Sequence, residues 1–182
     1  MAQVRKRKVA NNIVYSSNNK VSEKISRGAI LRDLTLKLTM APTVTNTNNT
    51  AAKTLRGDEW AVVKQIRIVA NGTDVIRSIT GNDLWWMNKF LYNVSPDVNP
   101  TLGDGSTANP SLTSHLKLPF WLPKSIRPMD TALDTRQLSD LTIEVEWGSF
   151  TDINGDASAW TTEPVLEVYG TESFAQEGAF ST

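Results

Sequence analysis

Four oxygen-bearing residues in the last third of the chain have the spacing of calcium ligands. Positions 1, 3, 5 and 12 of a calcium-binding loop are matched within DINGDASAWTTE by Asp152, Asn154, Asp156 and Glu163. Two features depart from the EF-hand template: position 6 is Ala157 rather than glycine, and the flanking residues have the pattern of strands. The spacing therefore predicts a calcium site, with a hairpin loop of turn-forming residues as the alternative.

A second charge cluster precedes a strand-like segment. Residues 130–140 carry Asp130, Asp134, Arg136 and Asp140, and Leu141–Trp147 then alternates apolar and polar residues. The paired carboxylates Glu144 and Glu146 could in principle support glycoside hydrolysis. Because they share one strand face and no cleft is indicated, we interpret them as a solvated face.

Other residues and motifs that commonly serve catalysis are rare in this sequence. The chain has no cysteine and a single histidine, His115, which lies in the middle of a predicted strand. No nucleophile elbow, glycine-rich phosphate loop or HExxH motif is present. We therefore predict that the protein is not an enzyme and that His115 faces the surface.

Charge is distributed unevenly along a chain whose formal net charge is zero. Residues 1–32 contain eight Lys or Arg against one acid, whereas nine acids and no Lys or Arg follow Arg136. The densest basic group consists of Arg5, Lys6, Arg7 and Lys8. It predicts an arm that contacts phosphates of a nucleic acid or of lipid headgroups. The alternatives are a solvated tail and docking on the acidic flank of a neighbouring subunit.

The periodicity of the remaining sequence is that of a β-protein. With 182 residues, 40% of them hydrophobic, the chain can bury one ordinary core. We expect a basic arm over residues 1–26, with a short strand at 12–15, and one domain over residues 27–182. Asn71-Gly72 predicts a type I′ hairpin between strands at 60–70 and 73–78.

One helix and several further strands complete the pattern. A helix of about three turns should begin at Asn82 or Asp83 and end before Pro96. Seven or eight strands in total favour an all-β sandwich of the Greek-key or jelly-roll kind.

Two apolar features are candidates for binding. The segment PFWLPKSIRP sets apolar residues between prolines, which keep it out of a sheet. It predicts a subunit interface at Phe120, Trp121 and Leu122. Alternatively Trp85, Trp86 or Trp121 could stack on a sugar, as in a carbohydrate-binding β-sandwich. Such modules usually carry a signal peptide, whose apolar stretch the first residues, MAQVRKRKVANNIVYSS, lack.

Several motifs together resemble one viral family. The basic arm is followed by GAILRDLTLKL, by VVKQIRIVANGTDVIRSITGNDLW leading into the helix, and then by HLKLPF, DTALDTRQLSDLTIEVEWG and LEV. Over about residues 26–172 this order resembles the vertical jelly-roll major capsid proteins of tailless icosahedral viruses with an internal membrane. Tectiviruses, corticoviruses and sphaerolipovirus-like phages belong to that group.

The resemblance implies a structural role. It implies an all-β, single eight-stranded jelly roll, because about 155 residues follow the arm and many members carry two rolls. The protein would be a capsomer subunit located in the virion after synthesis in the host cytoplasm. Its partners would be further copies, a second capsid protein or a vertex protein, and the viral membrane or genome through the arm. Residues 130–140 would then be a structural joint, in which Asp134 and Arg136 pair.

Overall fold

The computed structural model describes residues 3–43, 53–54, 58–92, 101–102, 111–121, 131–153 and 159–174. Within these ranges the strands are β1 (Gln3–Lys8), β2 (Ile13–Val14), β3 (Lys20–Lys24), β4 (Ile30–Thr43), β5 (Lys53–Thr54), β6 (Val63–Ala70), β7 (Asp74–Ile79), β8 (Thr101–Leu102), β9 (Leu112–Pro119), β10 (Leu133–Asp134), β11 (Leu141–Trp147) and β12 (Ala159–Phe174). The helix α1 spans Gly81–Tyr92, and 3₁₀ turns form at Asp58–Val62 and Phe150–Asp152.

Two antiparallel sheets form a sandwich. In the first sheet β1 and β2 pair with β12, β12 pairs with β4, and β4 pairs with β9 and β10. The second sheet has the order β3-β11-β6-β7, and β5 and β8 form a separate pair. Consecutive strands of the sandwich pass from one sheet to the other except at the β6–β7 hairpin and at β1–β2 and β9–β10.

Alternating apolar residues fill the space between the sheets. Leu34, Leu36, Leu38 and Met40 of β4 are all buried, as the alternation of that strand requires. They pack in one cluster with Ile66 and Ile68 of the opposite sheet and their neighbours. Trp60 is fully buried in the same cluster, where its indole N–H donates to Ser114 Oγ at 2.9 Å.

The Asn71-Gly72 hairpin is confirmed. Both residues have positive φ, 52° and 79°, which is what a type I′ turn needs. The strands it joins are β6 and β7. The predicted first strand began too early, because residues 58–62 form a 3₁₀ turn. That turn packs against the start of α1, where a Cβ on Gly81 would collide with the carbonyl oxygens of Trp60 and Val63.

The N-cap of the helix lies two to three residues before the predicted caps. Thr80, not Asn82 or Asp83, is the N-cap: its Oγ1 accepts the backbone N–H of Asp83 at 3.1 Å. The Thr80 hydroxyl also donates to the Asp83 carboxylate at 2.8 Å. No helix among the described residues is long and apolar enough to cross a membrane.

Asn88 connects α1 to the first sheet. Its side-chain amide donates to the backbone carbonyl of Lys117, and its Oδ1 accepts the Lys117 backbone N–H, both at 2.8 Å. Lys117 belongs to β9, which pairs only with β4 among the described strands. The amide therefore occupies the place of a neighbouring strand residue along β9.

The first 26 residues do not form the separate arm that the sequence predicted. β1, β2 and β3 are integrated in the two sheets, and Val9, Ile13 and Ile25 lie in the core. The short strand expected at 12–15 is present as β2. The prediction missed β1 because its residues are mostly charged and their counterion lies far away in the sequence. The strand number also differs from eight, since the two sheets hold ten described strands, among them the two-residue β2 and β10.

Candidate interaction surfaces

The connection at residues 131–140 is a structural joint. Arg136 makes two side-chain hydrogen bonds to the Asp134 carboxylate, at 2.8 and 2.6 Å, and a backbone one at 3.0 Å. These bonds lower the pKa of Asp134, the side-chain bond from Arg136 being the main cause. Between them Thr135 is buried, and its hydroxyl accepts the N–H groups of Gly28 and Ala29 and donates to the Ala29 carbonyl.

The end of this connection holds the hairpin turn. Asp140 Oδ1 accepts the Gly72 N–H at 2.8 Å, and the Asn71 side chain accepts the Ser139 N–H at 2.9 Å. The connection and the turn, about 70 residues apart in the sequence, thus each accept a backbone N–H of the other. Asp134 and Asp140 each accept a backbone N–H group, so the described charges of this segment help to fix the backbone.

The basic group near the N-terminus is largely paired within its own chain. Arg5 Nε lies 2.9 Å from Glu172, and Arg7 forms two bonds to the same carboxylate at 2.8 and 2.9 Å. The Glu172 side chain is only 2% exposed, whereas those of Arg5 and Arg7 are 52% and 34% exposed. We call this arrangement the Glu172 clamp.

Register explains why the two arginines reach the same side of the sheet. β1 pairs antiparallel with β12, so Arg5 lies opposite Glu172 and Arg7 opposite Gly170. The next residue on that side, Val9, is in the core. Burial by itself would raise the pKa of Glu172, but the bonds from Arg7 and Arg5 outweigh it and lower the pKa.

The two lysines of the basic group alternate with the arginines. Lys8 lies 3.7 Å from Glu167 and donates to Asn12, and Lys6 is exposed. The basic front and the acidic rear of the chain therefore meet within one molecule, through β1 and β12. The expectation that they face each other across subunits is not needed to account for their opposite charges.

The predicted interface segment is divided by the fold. Phe120 is 3% exposed and belongs to the core, so it is not the exposed apolar residue that the sequence indicated. Its neighbour Trp121 is half-buried, with the Arg32 guanidinium 5.0 Å from its ring centre. The backbone N–H groups of both aromatic residues donate to the Arg32 carbonyl. Leu122 lies outside the described residues.

The calcium hypothesis is only partly covered by the described residues. Asn154 and Asp156 lie outside them, and Glu163 is an exposed residue of β12. Asp152 is engaged already: Oδ1 accepts from Lys64 Nζ at 2.5 Å and Oδ2 from the Ser149 N–H at 2.7 Å. Burial would raise the pKa of Asp152, but these bonds lower it. No group of three or more His, Asp or Glu residues suited to a metal occurs within the described ranges.

The tryptophans differ in exposure. Trp85 is 5% exposed, but Trp86 is 49% exposed and stacks on Phe90, which is 76% exposed. The sequence predicted an apolar helix, and the heptad-like spacing of its apolar residues could have distinguished the buried face from the exposed one. His115 is exposed on β9, as expected.

Sequence reasoning missed two residues that hold the structure together, Glu172 and Asn88. The charged residues near Glu172 in the sequence are all acidic, so only strand pairing reveals its basic partners. Asn88 was one polar residue in an aromatic helix, and a polar residue on the buried face was the available signal.

The sequence matches no protein-family model and no curated protein. Its fold, however, superposes on solved viral structures. The STIV major capsid protein, from Sulfolobus Turreted Icosahedral Virus, aligns with a TM-score of 0.68 and 13% identity over 93% of this chain and 48% of that one. The PBCV-1 virus capsid aligns with a TM-score of 0.63 and 16% identity over 96% and 42%.

A third structure has the same fold. The major capsid protein P2 of Bacteriophage PM2 aligns with a TM-score of 0.57 and 14% identity over 96% of this chain and 51% of that one. These neighbours are double jelly-roll major capsid proteins, and this chain spans about half the length of each. The chain therefore has a jelly-roll-like capsid fold, at a sequence identity too low to define more than the fold.

Proposed function

We propose that the protein is a structural virion protein that self-assembles as a capsomer subunit of an icosahedral capsid and forms the major shell. The observation that carries this proposal is the superposition of nearly the whole chain on about half of three capsid proteins. A fold alone does not define a function. The described residues support the proposal in a second way, because several of their charged side chains form ion pairs or hold turns.

The proposed subunit is a single roll. If β1 and β2 are taken as one interrupted strand and the two-residue β10 is left out, its sheets have the orders β1/β2-β12-β4-β9 and β3-β11-β6-β7, which make eight principal strands. A capsomer with pseudo-sixfold shape would then need more copies than one built from double rolls. We therefore propose that the protein belongs to the single-roll branch of the internal-membrane viruses, including phages, with a second capsid protein or a vertex protein as further partners.

Size-exclusion chromatography followed by electron microscopy of the purified chain tests assembly. Rings, capsomers or shells are expected at high protein concentration, because head-to-tail contacts that repeat around an axis close on themselves. A chain that stays monomeric at all concentrations would refute the proposal.

Contact with the viral membrane or genome would use β1 as part of the sheet. Arg5 and Arg7 are held by Glu172, so the outward side of the strand, with Lys6 and Lys8, is the available basic surface. Each basic residue near an anionic membrane contributes about 1 kcal/mol, so a single subunit would bind weakly and an assembled shell strongly.

Co-sedimentation with anionic liposomes and with DNA tests this contact. Deleting residues 1–10 would remove β1 and the core residue Val9, so charge reversal is the better perturbation. The variant Lys6→Glu/Lys8→Glu should lose binding, while Lys20→Glu on the other sheet should not. Equal binding by all three proteins would exclude β1 as the contact.

A further inference from the structure

The turn between β6 and β7 places a side-chain amide directly before a glycine nitrogen. Because Gly72 has no Cβ, its backbone nitrogen is sterically open to the side-chain carbonyl carbon of Asn71. Both residues are exposed, so water and hydroxide reach them. This combination is the chemical requirement for spontaneous deamidation, a covalent modification that needs no enzyme.

The fold engages both reacting groups in other bonds. The Gly72 N–H donates to Asp140 Oδ1 at 2.8 Å. Asn71 Oδ1 accepts the Ser139 N–H at 2.9 Å and the Ser139 hydroxyl at 3.1 Å, and Asn71 Nδ2 donates to Asp74 Oδ2 at 3.3 Å. The side-chain amide is therefore fixed at both of its polar atoms while the nitrogen that would attack it is bonded elsewhere.

The charge of Asp140 opposes the reaction as well. The attacking species is the glycine amide nitrogen after loss of its proton, which is an anion. A carboxylate oxygen 2.8 Å from that nitrogen disfavours a second negative charge there. The connection at residues 131–140 thus restrains the reaction both by hydrogen bonding and by electrostatics.

We propose that Asn71 is a deamidation site that this connection keeps closed, with Asp140 as the residue that restrains Gly72. The site reacts from conformations in which the bonds to Asp140 and Ser139 are broken. The rate of modification is then set by the population in which the connection has opened locally. This inference depends on the turn alone and is independent of capsid assembly.

The reaction is a ring closure followed by hydrolysis. Hydroxide takes the proton of the Gly72 N–H, the nitrogen forms a bond to Asn71 Cγ, and the bond from Cγ to Nδ2 breaks. The leaving nitrogen takes a proton from water and departs as ammonia, which restores the hydroxide. Water then opens the resulting succinimide at either carbonyl carbon and gives an aspartate or an isoaspartate. One water is consumed and one ammonia released, with no oxidation or reduction.

Either product destabilises the turn. An aspartate at position 71 replaces the Nδ2 donor with a carboxylate oxygen beside Asp74, and Asp140 adds a third carboxylate to the same turn. An isoaspartate lengthens the main chain by one methylene at a two-residue turn that sets the register of β6 and β7. Local opening is reversible before the reaction and permanent after it, so modification at Asn71 records how long the connection has been open.

Peptide mapping of the full chain after incubation at mildly alkaline pH tests the site. Trypsin releases residues 68–77, in which Asn71 is the only amide side chain, and mass spectrometry measures the fraction converted to the acid. Residues 137–182 contain the other Asn-Gly pair of the sequence, Asn154-Gly155, which lies outside the described residues and serves as an internal reference. Asp140→Ala should raise the rate at Asn71 about fivefold, the factor for one lost hydrogen bond, and leave the rate at Asn154 unchanged.

Two comparisons control the experiment. Asp140→Asn keeps an oxygen acceptor for the Gly72 N–H and should raise the rate less than Asp140→Ala does. In urea the connection is lost, so wild type and both variants should react at one common rate at Asn71, faster than folded wild type. Circular dichroism verifies that each variant is folded without urea.

Two results would overturn the inference. A folded Asp140→Ala variant that reacts at Asn71 no faster than wild type would show that Asp140 does not restrain the site. Equal rates at Asn71 in folded and in urea-unfolded wild type would show that the fold does not protect it.

Discussion

Replacing Arg5 and Arg7 together with alanine should destabilise the protein far more than replacing Lys6 and Lys8. The two arginines provide three hydrogen bonds to Glu172, whose side chain is 2% exposed. The lysines lie on the same strand and remove the same charge, but they are exposed. The comparison therefore isolates the Glu172 clamp from the net charge of β1.

The expected loss of stability follows from the buried Glu172 carboxylate that remains after both arginines are removed. Removing the partners of a buried carboxylate costs about 3–5 kcal/mol, because the charge is left without compensation. Both arginines are partly exposed, and water can enter where they were, so we expect about 3 kcal/mol, the low end of that range. For a chain of this size the melting temperature should fall by about 6–12 °C. The lysine pair should cost less than about 1 kcal/mol.

The effect should depend on pH in a defined direction. The pKa of Glu172 is lowered in the folded chain, so the unfolded chain binds a proton more readily. The stabilisation is complete above the ordinary pKa of a glutamate, about 4.3, and is lost as the pH falls through the lower folded value. The difference between wild type and the double variant should be largest at neutral pH and shrink in acid.

Urea unfolding at pH 7 and at pH 3, followed by circular dichroism, measures both differences. The reasoning is refuted if the arginine and lysine variants are equally stable at pH 7. It is also refuted if the loss of stability in the arginine variant is unchanged at pH 3, because a protonated Glu172 needs no partner charge.

Further predictions concern the turn, the aromatic pair and the acidic loop. Gly72→Val should lower the free energy of unfolding by about 1–2 kcal/mol, because the φ of this residue is positive. Asp140→Ala should lower it by about 1 kcal/mol, because the hydrogen bond to the Gly72 N–H is lost. An unchanged melting temperature in both variants would contradict this account of the turn. Phe120→Ala should cost about 3–5 kcal/mol, whereas Trp121→Ala should retain the fold by circular dichroism and weaken capsomer formation in chromatography; unfolding of the Trp121 variant would exclude the interface. Millimolar calcium should raise the melting temperature if the loop beginning at Asp152 binds it, and no shift would remove that hypothesis.

Local patterns in the sequence predicted the elements that depend on local rules. The alternation of β4 and β11 reports a half-buried strand, and Asn71-Gly72 reports a turn that needs two positive φ values. These features depend on neighbours a few residues apart. The alternating strands, the hairpin and the helix α1 were therefore predictable.

Features that depend on distant pairing were not predictable. β1 was interpreted as part of an arm because Arg5 and Arg7 have no local acid, and their counterion Glu172 follows more than 160 residues later. Phe120 was grouped with Trp121 by its proline-rich context, although the strand alternation of β9 continues as far as Phe120 and buries it. Charge and proline content are properties of the segment itself, whereas its burial depends on the sheet against which it packs.

The amide of Asn88 also limits how the sheets of separate molecules can join. A sheet grows from molecule to molecule only if every molecule offers two free edges, as a bifunctional monomer offers two reactive ends in step-growth polymerisation. Asn88 obstructs the β9 edge at one position, because it already holds the Lys117 backbone groups that an incoming strand would need there. Edge pairing at β1 could still join two molecules, but the other edge of the first sheet is obstructed at Lys117. The inner side of α1 thus protects an edge of the first sheet with a single side-chain amide.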